Sequence, residues 1–309
     1  MAICNCDVGL SNTGLPNCAP IFSVTKKLIL VPTYKADGTK NFIDLTATLD
    51  AAYLTAAINN ADAAERWFPL PYFENVTSDR GESSFEDFPS GRKAFIKQGS
   101  RTMTGEIVGK DALPQLVGQI NDARCVNISA YVVDINGAIL GIGSADADTI
   151  LYPIKLDAQS VDAVYTFATD STTTKLSVTL AWDDSEKDKD LYMIQDTIDF
   201  TFDALDTNGL LDVKGVHSSI TTSGFVTEMN YIYGSLKSLV PDTGLLVGDF
   251  SLYNNTTASS VTITSVTESP DGTYTFVIPT QTSADVMVLT PSKDGRSYTD
   301  VIAATITIP

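Results

Sequence analysis

Two periods of hydrophobic spacing alternate along the first 180 residues. Leu28-Ile-Leu-Val-Pro-Thr-Tyr34 is a short apolar run ending at the turn residues Lys35-Ala-Asp-Gly38, which predicts a strand. From Thr48 the period changes. Leu49, Ala52, Tyr53 and Ala56 recur at three- and four-residue spacing, predicting a short helix with Thr48 as N-cap. Pro69 and Pro71 exclude helix from the aromatic stretch Glu65–Phe73 and predict extended chain. Residues Glu74 to Arg92, rich in Ser, Asp, Glu, Gly and Pro, read as a loop. Lys93–Lys97 then predicts a strand continuing through Gly99 into Arg101–Val108. Asp111 is the expected cap of a second helix, which ends near Ala123 and carries Leu113, Leu116, Val117 and Ile120 on one face. Cys125–Val133 is a further strand, closed by the turn Asp134-Ile-Asn-Gly137.

Beyond residue 150 the helical period disappears. Strands are expected at 150–156, 163–168, 176–182, 198–202, 261–266, 274–278, 286–289 and 301–308. Threonine usage shifts with them, 26 of the 37 threonines lying after residue 160, which suits pleated, half-exposed sheet. The expected fold class is therefore mainly β: a β-sandwich or barrel body with one or two short helices, followed by a C-terminal β-sandwich. The expected division is an N-terminal arm at 1–20, a β domain at 21–200 and a second sandwich at 201–309.

Composition changes the picture by lowering the prospects of catalysis. The chain has 309 residues, of which 43% are hydrophobic, enough for a real core. Twenty Lys and Arg against 38 Asp and Glu give a net charge of −18, the wrong sign for gripping a phosphate backbone. His217 is the single histidine, so acid–base catalysis, Ser/His/Asp triads and most zinc sites lose their usual group. The first residues lack the basic and apolar regions of a signal peptide, and no apolar run has the length of a membrane helix, so no membrane anchor is expected.

The remaining candidate chemistry is thin. Cys4, Cys6 and Cys18, with Cys125 as a fourth, would make a zinc set, but the spacing is not the paired C-x2-C and no histidine adjoins; free thiols are the leading reading, with a disulfide at Cys18 behind it. Acidic residues at 184, 186, 188 and 190 resemble the start of a calcium loop. Counted from Asp184, however, Lys189 stands where the turn needs Gly and Gln195 where the ion needs Glu, so a solvated acidic turn is expected. His217 and Cys125 fall in different expected domains, which argues against a nucleophile–base pair. No phosphate-binding glycine motif, G-x-S-x-G or H-E-x-x-H occurs. The sequons at Asn75, Asn127, Asn254 and Asn255 are read as accidents of Thr-rich composition. No catalytic, cofactor-binding or metal-binding residue is assigned.

The order of elements from Ser83 to Trp182 carries a resemblance. Glu86-Asp-Phe-Pro-Ser-Gly-Arg-Lys-Ala-Phe-Ile-Lys-Gln-Gly-Ser-Arg-Thr-Met-Thr-Gly-Glu-Ile107, the helix from Asp111 to Ala123 and the strand Cys125–Val133 resemble the tail tube proteins of tailed bacteriophages and contractile injection systems. The segment Gly248-Asp-Phe-Ser-Leu-Tyr-Asn254, with Pro270-Asp-Gly-Thr-Tyr-Thr-Phe-Val-Ile278, is similar to immunoglobulin-like sandwiches of phage virion proteins. The resemblance implies a non-enzymatic virion subunit, assembled in the bacterial host cytoplasm, that forms hexameric rings stacked into a tube for genome ejection. Its implied partners are further copies of itself, other tail proteins, and DNA passing an acidic wall without specific binding. Ring-to-ring contacts are expected from Glu74–Arg92 and the arm 1–20. Two alternatives stand beside it. One is another virion component, such as a decoration, baseplate or connector protein. The other is a β-sandwich adhesin or carbohydrate-binding module using Trp67, Phe68, Tyr72 and Phe73.

Overall fold

The computed structural model describes residues 21–60, 62, 64–144, 147–233, 239–293, 295–298 and 305–309. The chain is mainly β and forms two compact units, Met1–Gly209 and Leu210–Pro309. The division falls nine residues beyond the expected 200 because the intervening segment is tied to the first unit. Phe200, Phe202 and Ala204 are buried there, and the Thr201 N–H donates to the Leu49 carbonyl (2.8 Å). The ammonium of Lys27 donates to the carbonyls of Leu205 (2.7 Å) and Thr207.

The strands of the first unit begin with β1 (Thr25–Pro32), β2 (Ile43–Asp44), β3 (Phe68–Pro69), β4 (Glu74–Arg80), β5 (Ser84–Asp87), β6 (Lys93–Lys97) and β7 (Arg101–Val108). They continue with β8 (Ile128–Asp134), β9 (Ile139–Ser144), β10 (Ala147–Tyr152), β11 (Ile154–Lys155), β12 (Asp162–Thr166), β13 (Lys175–Ala181) and β14 (Leu191–Ile194). Two helices interrupt them, α1 (Ala51–Ile58) and α2 (Pro114–Asp122). One sheet runs β2-β10-β9-β8-β1-β3, with β11 added to β8 and β14 to β9; the other runs β12-β13-β7-β4.

These sheets enclose one apolar layer. Leu28 and Leu30 of β1 and Ala130 and Val132 of β8 meet Met103 and Ile107 of β7 and Leu176, Val178 and Leu180 of β13. Alternation in β7 and β13, where every second residue is buried, is that of sheets with one face inward. β8 is buried at all seven positions because its other face is covered as well. There Trp67 packs on Tyr131 (ring centroids 5.5 Å apart) and on Tyr53 of α1 (6.1 Å). A small apolar gap between the sheets, lined by Leu28, Phe73, Val76, Met103, Val178 and Leu180, is far below the size of a ligand pocket.

Both helix caps differ from expectation. Asp50, not Thr48, caps α1, its carboxylate accepting from the N–H groups of Ala52 and Tyr53 (both 3.0 Å). A carboxylate one residue before the helix reaches two orphan donors, whereas Thr48 lies too far upstream. Ala52 and Ala56 are exposed, and Ile58 supplies the buried contact. Asp111 closes a 3-10 turn (Gly109–Asp111), and α2 begins after Leu113 with Pro114 at its first position, where a missing N–H is harmless. At the far end of α2, the Asn121 side chain bonds both backbone groups of Ala163: its amide donates to the carbonyl (3.1 Å) and its oxygen accepts from the N–H (2.8 Å). Residues 198–202 form no strand, only an isolated bridge between Asp196 and Phe200.

The second unit contains β15 (Leu211–Thr221), β16 (Gly224–Tyr231), β17 (Val240–Pro241), β18 (Phe250–Asn254), β19 (Ser259–Val261), β20 (Ser265–Glu268), β21 (Thr273–Val277), β22 (Val286–Pro291), β23 (Arg296–Tyr298) and β24 (Thr305–Thr307). Sheets β20-β21-β16-β15-β23, with β17 on β16, and β19-β18-β22-β24 form a sandwich. Phe225 stacks on Phe276 (4.7 Å), which meets Phe250 edge-on (4.9 Å), and Met287, Leu289 and Ile306 close the core from the opposite sheet. A charged pair sits beside this core. Asp242, fully buried, receives Arg296 at 2.9 Å, while its backbone carbonyl accepts from the Tyr274 hydroxyl (2.9 Å). Burial pushes the Asp242 carboxyl upward, and Arg296 opposes the shift.

Candidate assembly surface

The expected loop at Glu74–Arg92 is not a loop. Residues 74–80 are β4, paired with β7 from Glu74↔Glu106 to Arg80↔Arg101, and residues 84–97 are a hairpin of β5 and β6. Polar side chains mask both strands in the sequence because most are exposed, so no apolar alternation arises. Nor is β6 a continuation of β7. The chain breaks between them at Gly99, where the backbones of the two hairpin arms cross closely: the Gly81 N–H donates to the Ser100 carbonyl (2.9 Å), and a Cβ on Gly99 would lie 1.9 Å from the Gly81 oxygen.

Among the described residues β5 and β6 pair only with each other, leaving both outer edges bare. Phe85 and Phe95 face each other across the hairpin at 5.8 Å, yet are 51% and 62% exposed; Ile96 is 60% exposed and Phe88 42%. The turn closes through the Phe88 N–H donating to Arg92 and the Gly91 N–H donating to Phe88, with Gly91 at φ +78°. A two-stranded hairpin is marginal in water, and apolar groups in such numbers on one projection mark an interaction surface.

The hairpin root is clamped by charge. Arg80 and Arg101 lie directly opposite each other on β4 and β7, an arrangement of like charges that would destabilise the pair on its own. Asp188 bridges them, Oδ1 to Arg80 Nη2 (2.8 Å) and Oδ2 to Arg101 Nη2 (3.0 Å), and Arg80 also donates to the Gly99 carbonyl (2.8 Å). The Arg101 guanidinium lies over the Trp182 ring at 4.9 Å. Partial burial raises the Asp188 carboxyl, but the bonds from the two arginines outweigh it and hold the pKa below the usual value.

The acidic stretch 184–190 therefore does something other than sit in solvent. Asp188 is the clamp, and neighbouring Asp183 pairs with Lys155 (2.8 Å). Burial raises Asp183, while Lys155 and the Ser185 bonds prevail and bring it to about 2. Glu186 moves the other way, pushed up by burial. No group of three or more His, Cys, Asp or Glu side chains suited to a metal ion occurs among the described residues.

Other candidate residues do not converge. Cys125 is an exposed free thiol in a 3-10 turn of the first unit, rather than the start of β8. His217 lies on β15 of the second unit, its Nδ1 2.9 Å from the Thr227 hydroxyl and its ring edge-on to Phe225. Trp67 and Phe73 are core residues, so only Phe68 and Tyr72 of the four aromatics remain exposed. Cys4, Cys6, Cys18 and the arm 1–20 lie outside the described residues. Of the hairpin, β6 stands where a strand is expected at Lys93–Lys97, while β5, like β15 and β16, was missed; the available signal for the hairpin was the cluster Phe85, Phe88, Phe95 and Ile96 inside a polar stretch. No protein-family model matches the chain, and no curated protein is similar to it in sequence.

Proposed function

We propose that the chain is a structural subunit that associates with copies of itself, and that it serves as a tail-tube-type virion protein. The observation that carries this reading is the hairpin 84–97, whose apolar side chains and bare edges have no partner strand among the described residues. An exposed edge is a template for another strand, and assembly is one way to cover it. In a closed ring the first unit would build the wall, the −18 net charge would keep DNA from adhering to an acidic lumen, and the second, immunoglobulin-like sandwich would decorate the outside.

The test is assembly of the purified chain, followed by negative-stain electron microscopy and light scattering. Rings or hollow tubes are expected from the intact protein. Removal of residues 82–98, bridged by Gly-Ser between β4 and β7, is expected to leave a folded monomer. The deletion leaves residues 74–80 in place because β4, paired with β7, belongs to the fold. Removal of 210–309 is expected to leave assembly intact. A chain that stays monomeric at every concentration counts against the reading.

A further inference from the structure

The hairpin is polarised by charge, and the polarity selects one mode of association. Its first arm carries Glu86 and Asp87, with Glu82 two residues ahead of β5; its second carries Arg92, Lys93 and Lys97. Over residues 82–98 three acids and three bases cancel, so this projection is neutral in a chain of net charge −18. The single ion pair across it, Lys93 to Asp87 at 3.4 Å, joins side chains 67% and 70% exposed, which leaves both groups open to a second partner. One edge is thus acidic and the other basic.

We propose, building on the self-assembly reading, that the occupant of these edges is the hairpin of a second copy, with the acidic β5 edge of one subunit lying beside the basic β6 edge of the next. Like-with-like docking by a twofold axis sets acid against acid or base against base and is disfavoured. A rotation axis parallel to the hairpin instead brings β6 of one copy antiparallel to β5 of its neighbour, which repeats the pairing already present inside the hairpin. Such a contact is heterologous, so it propagates around a ring, and closing the ring removes every bare edge. The apolar rows extend in the same step, since Phe85 and Phe95 of each copy stand on one face and meet those of the next. The contact is lateral, between neighbours of one ring, and not the ring-to-ring contact expected of this segment from sequence.

Charge exchange tests this directly. One variant carries Glu82→Lys, Glu86→Lys and Asp87→Lys; the other carries Arg92→Glu, Lys93→Glu and Lys97→Glu. Each alone is expected to remain monomeric by sedimentation velocity where the native chain assembles. An equimolar mixture is expected to restore rings of alternating composition. Native association is also expected to weaken at least about tenfold between low and high salt, as screening removes the edge charges. This salt response decides the matter even if a triple variant fails to fold. Overturning results are assembly of either variant alone at native strength, a mixture that stays monomeric, intact rings that merely cease to stack, or salt-independent assembly. Any of these in a chain that still self-assembles defeats the edge pairing and spares the assembly reading; a native chain that never associates defeats both.

Discussion

Two antiparallel hairpins of this molecule are built from similar residues and meet opposite fates. In β15–β16 the partners continue on both sides, β23 beside β15 and β21 beside β16, and Phe225 and Phe276 are each 1% exposed. In β5–β6 the facing pair Phe85 and Phe95 meets edge-on at 5.8 Å, where Phe225 and Phe276 stack at 4.7 Å, and among the described residues no further strand joins the hairpin. The difference lies in what surrounds each hairpin. In one, aromatic area is removed from water by the fold; in the other it stays in water.

The largest effect that sharpens this contrast is aromatic truncation. Phe276→Ala is expected to destabilise the second unit by about 3–5 kcal/mol in urea denaturation. Phe95→Ala is expected to cost the isolated chain less than about 1 kcal/mol while sharply reducing assembly. Similar stability losses at both positions would mean that the hairpin is structurally buried after all. Next comes the root. Gly99→Ala places a methyl against the Gly81 carbonyl and is expected to cost about 1–3 kcal/mol, with faster amide exchange across 84–97. Unchanged exchange would separate the hairpin's order from its crossing point.

Two smaller effects concern charge. Asp188→Asn keeps the size of the clamp but removes its charge, leaving Arg80 opposite Arg101; the expected loss is up to about 1 kcal/mol, with the exchange increase confined to the hairpin. A rise spread over the whole first unit would instead make Asp188 a general fold residue. Lys27 offers the buried counterpart. Desolvation lowers its pKa from 10.5 to about 8, although Asp206 and Asp203 oppose the shift. Between those values the unfolded chain holds a proton that the folded chain has released, so the contribution of Lys27 to stability rises with pH across this window. Below pH 8 the burial penalty is fully present. Urea midpoints at pH 7.5 and 9.5 are expected to show a more positive slope for the native chain than for Lys27→Met; equal slopes would remove Lys27 from the pH response.

What was legible in the sequence follows the same division between buried and bare. β1, β7, β8 and β13 were readable because one or both faces are inward, and burial writes itself as apolar runs or alternation. β4 and β5 were not, since nearly all their side chains meet solvent and polar residues satisfy both faces. β15 escaped notice for a related reason: of its 11 residues only Val213 is buried. The clamp was half legible. The acidic run was visible, yet its alternation suggested a cation, and only the fold brings Arg80 and Arg101, 108 and 87 residues distant in sequence, to Asp188. Charge content can be counted from a chain, but the pairing of charges depends on topology.

The side chain of Asn121 gives one sheet edge a different future from the hairpin's. By offering Ala163 both a donor and an acceptor, it imitates one rung of a neighbouring strand and occupies the place where such a strand would start to zip along β12. Each subunit therefore carries a sealed sheet border at β12 beside a hairpin whose two borders are both open. Were the β12 border open as well, subunits could join through more than one sheet and crowd together in branched clumps.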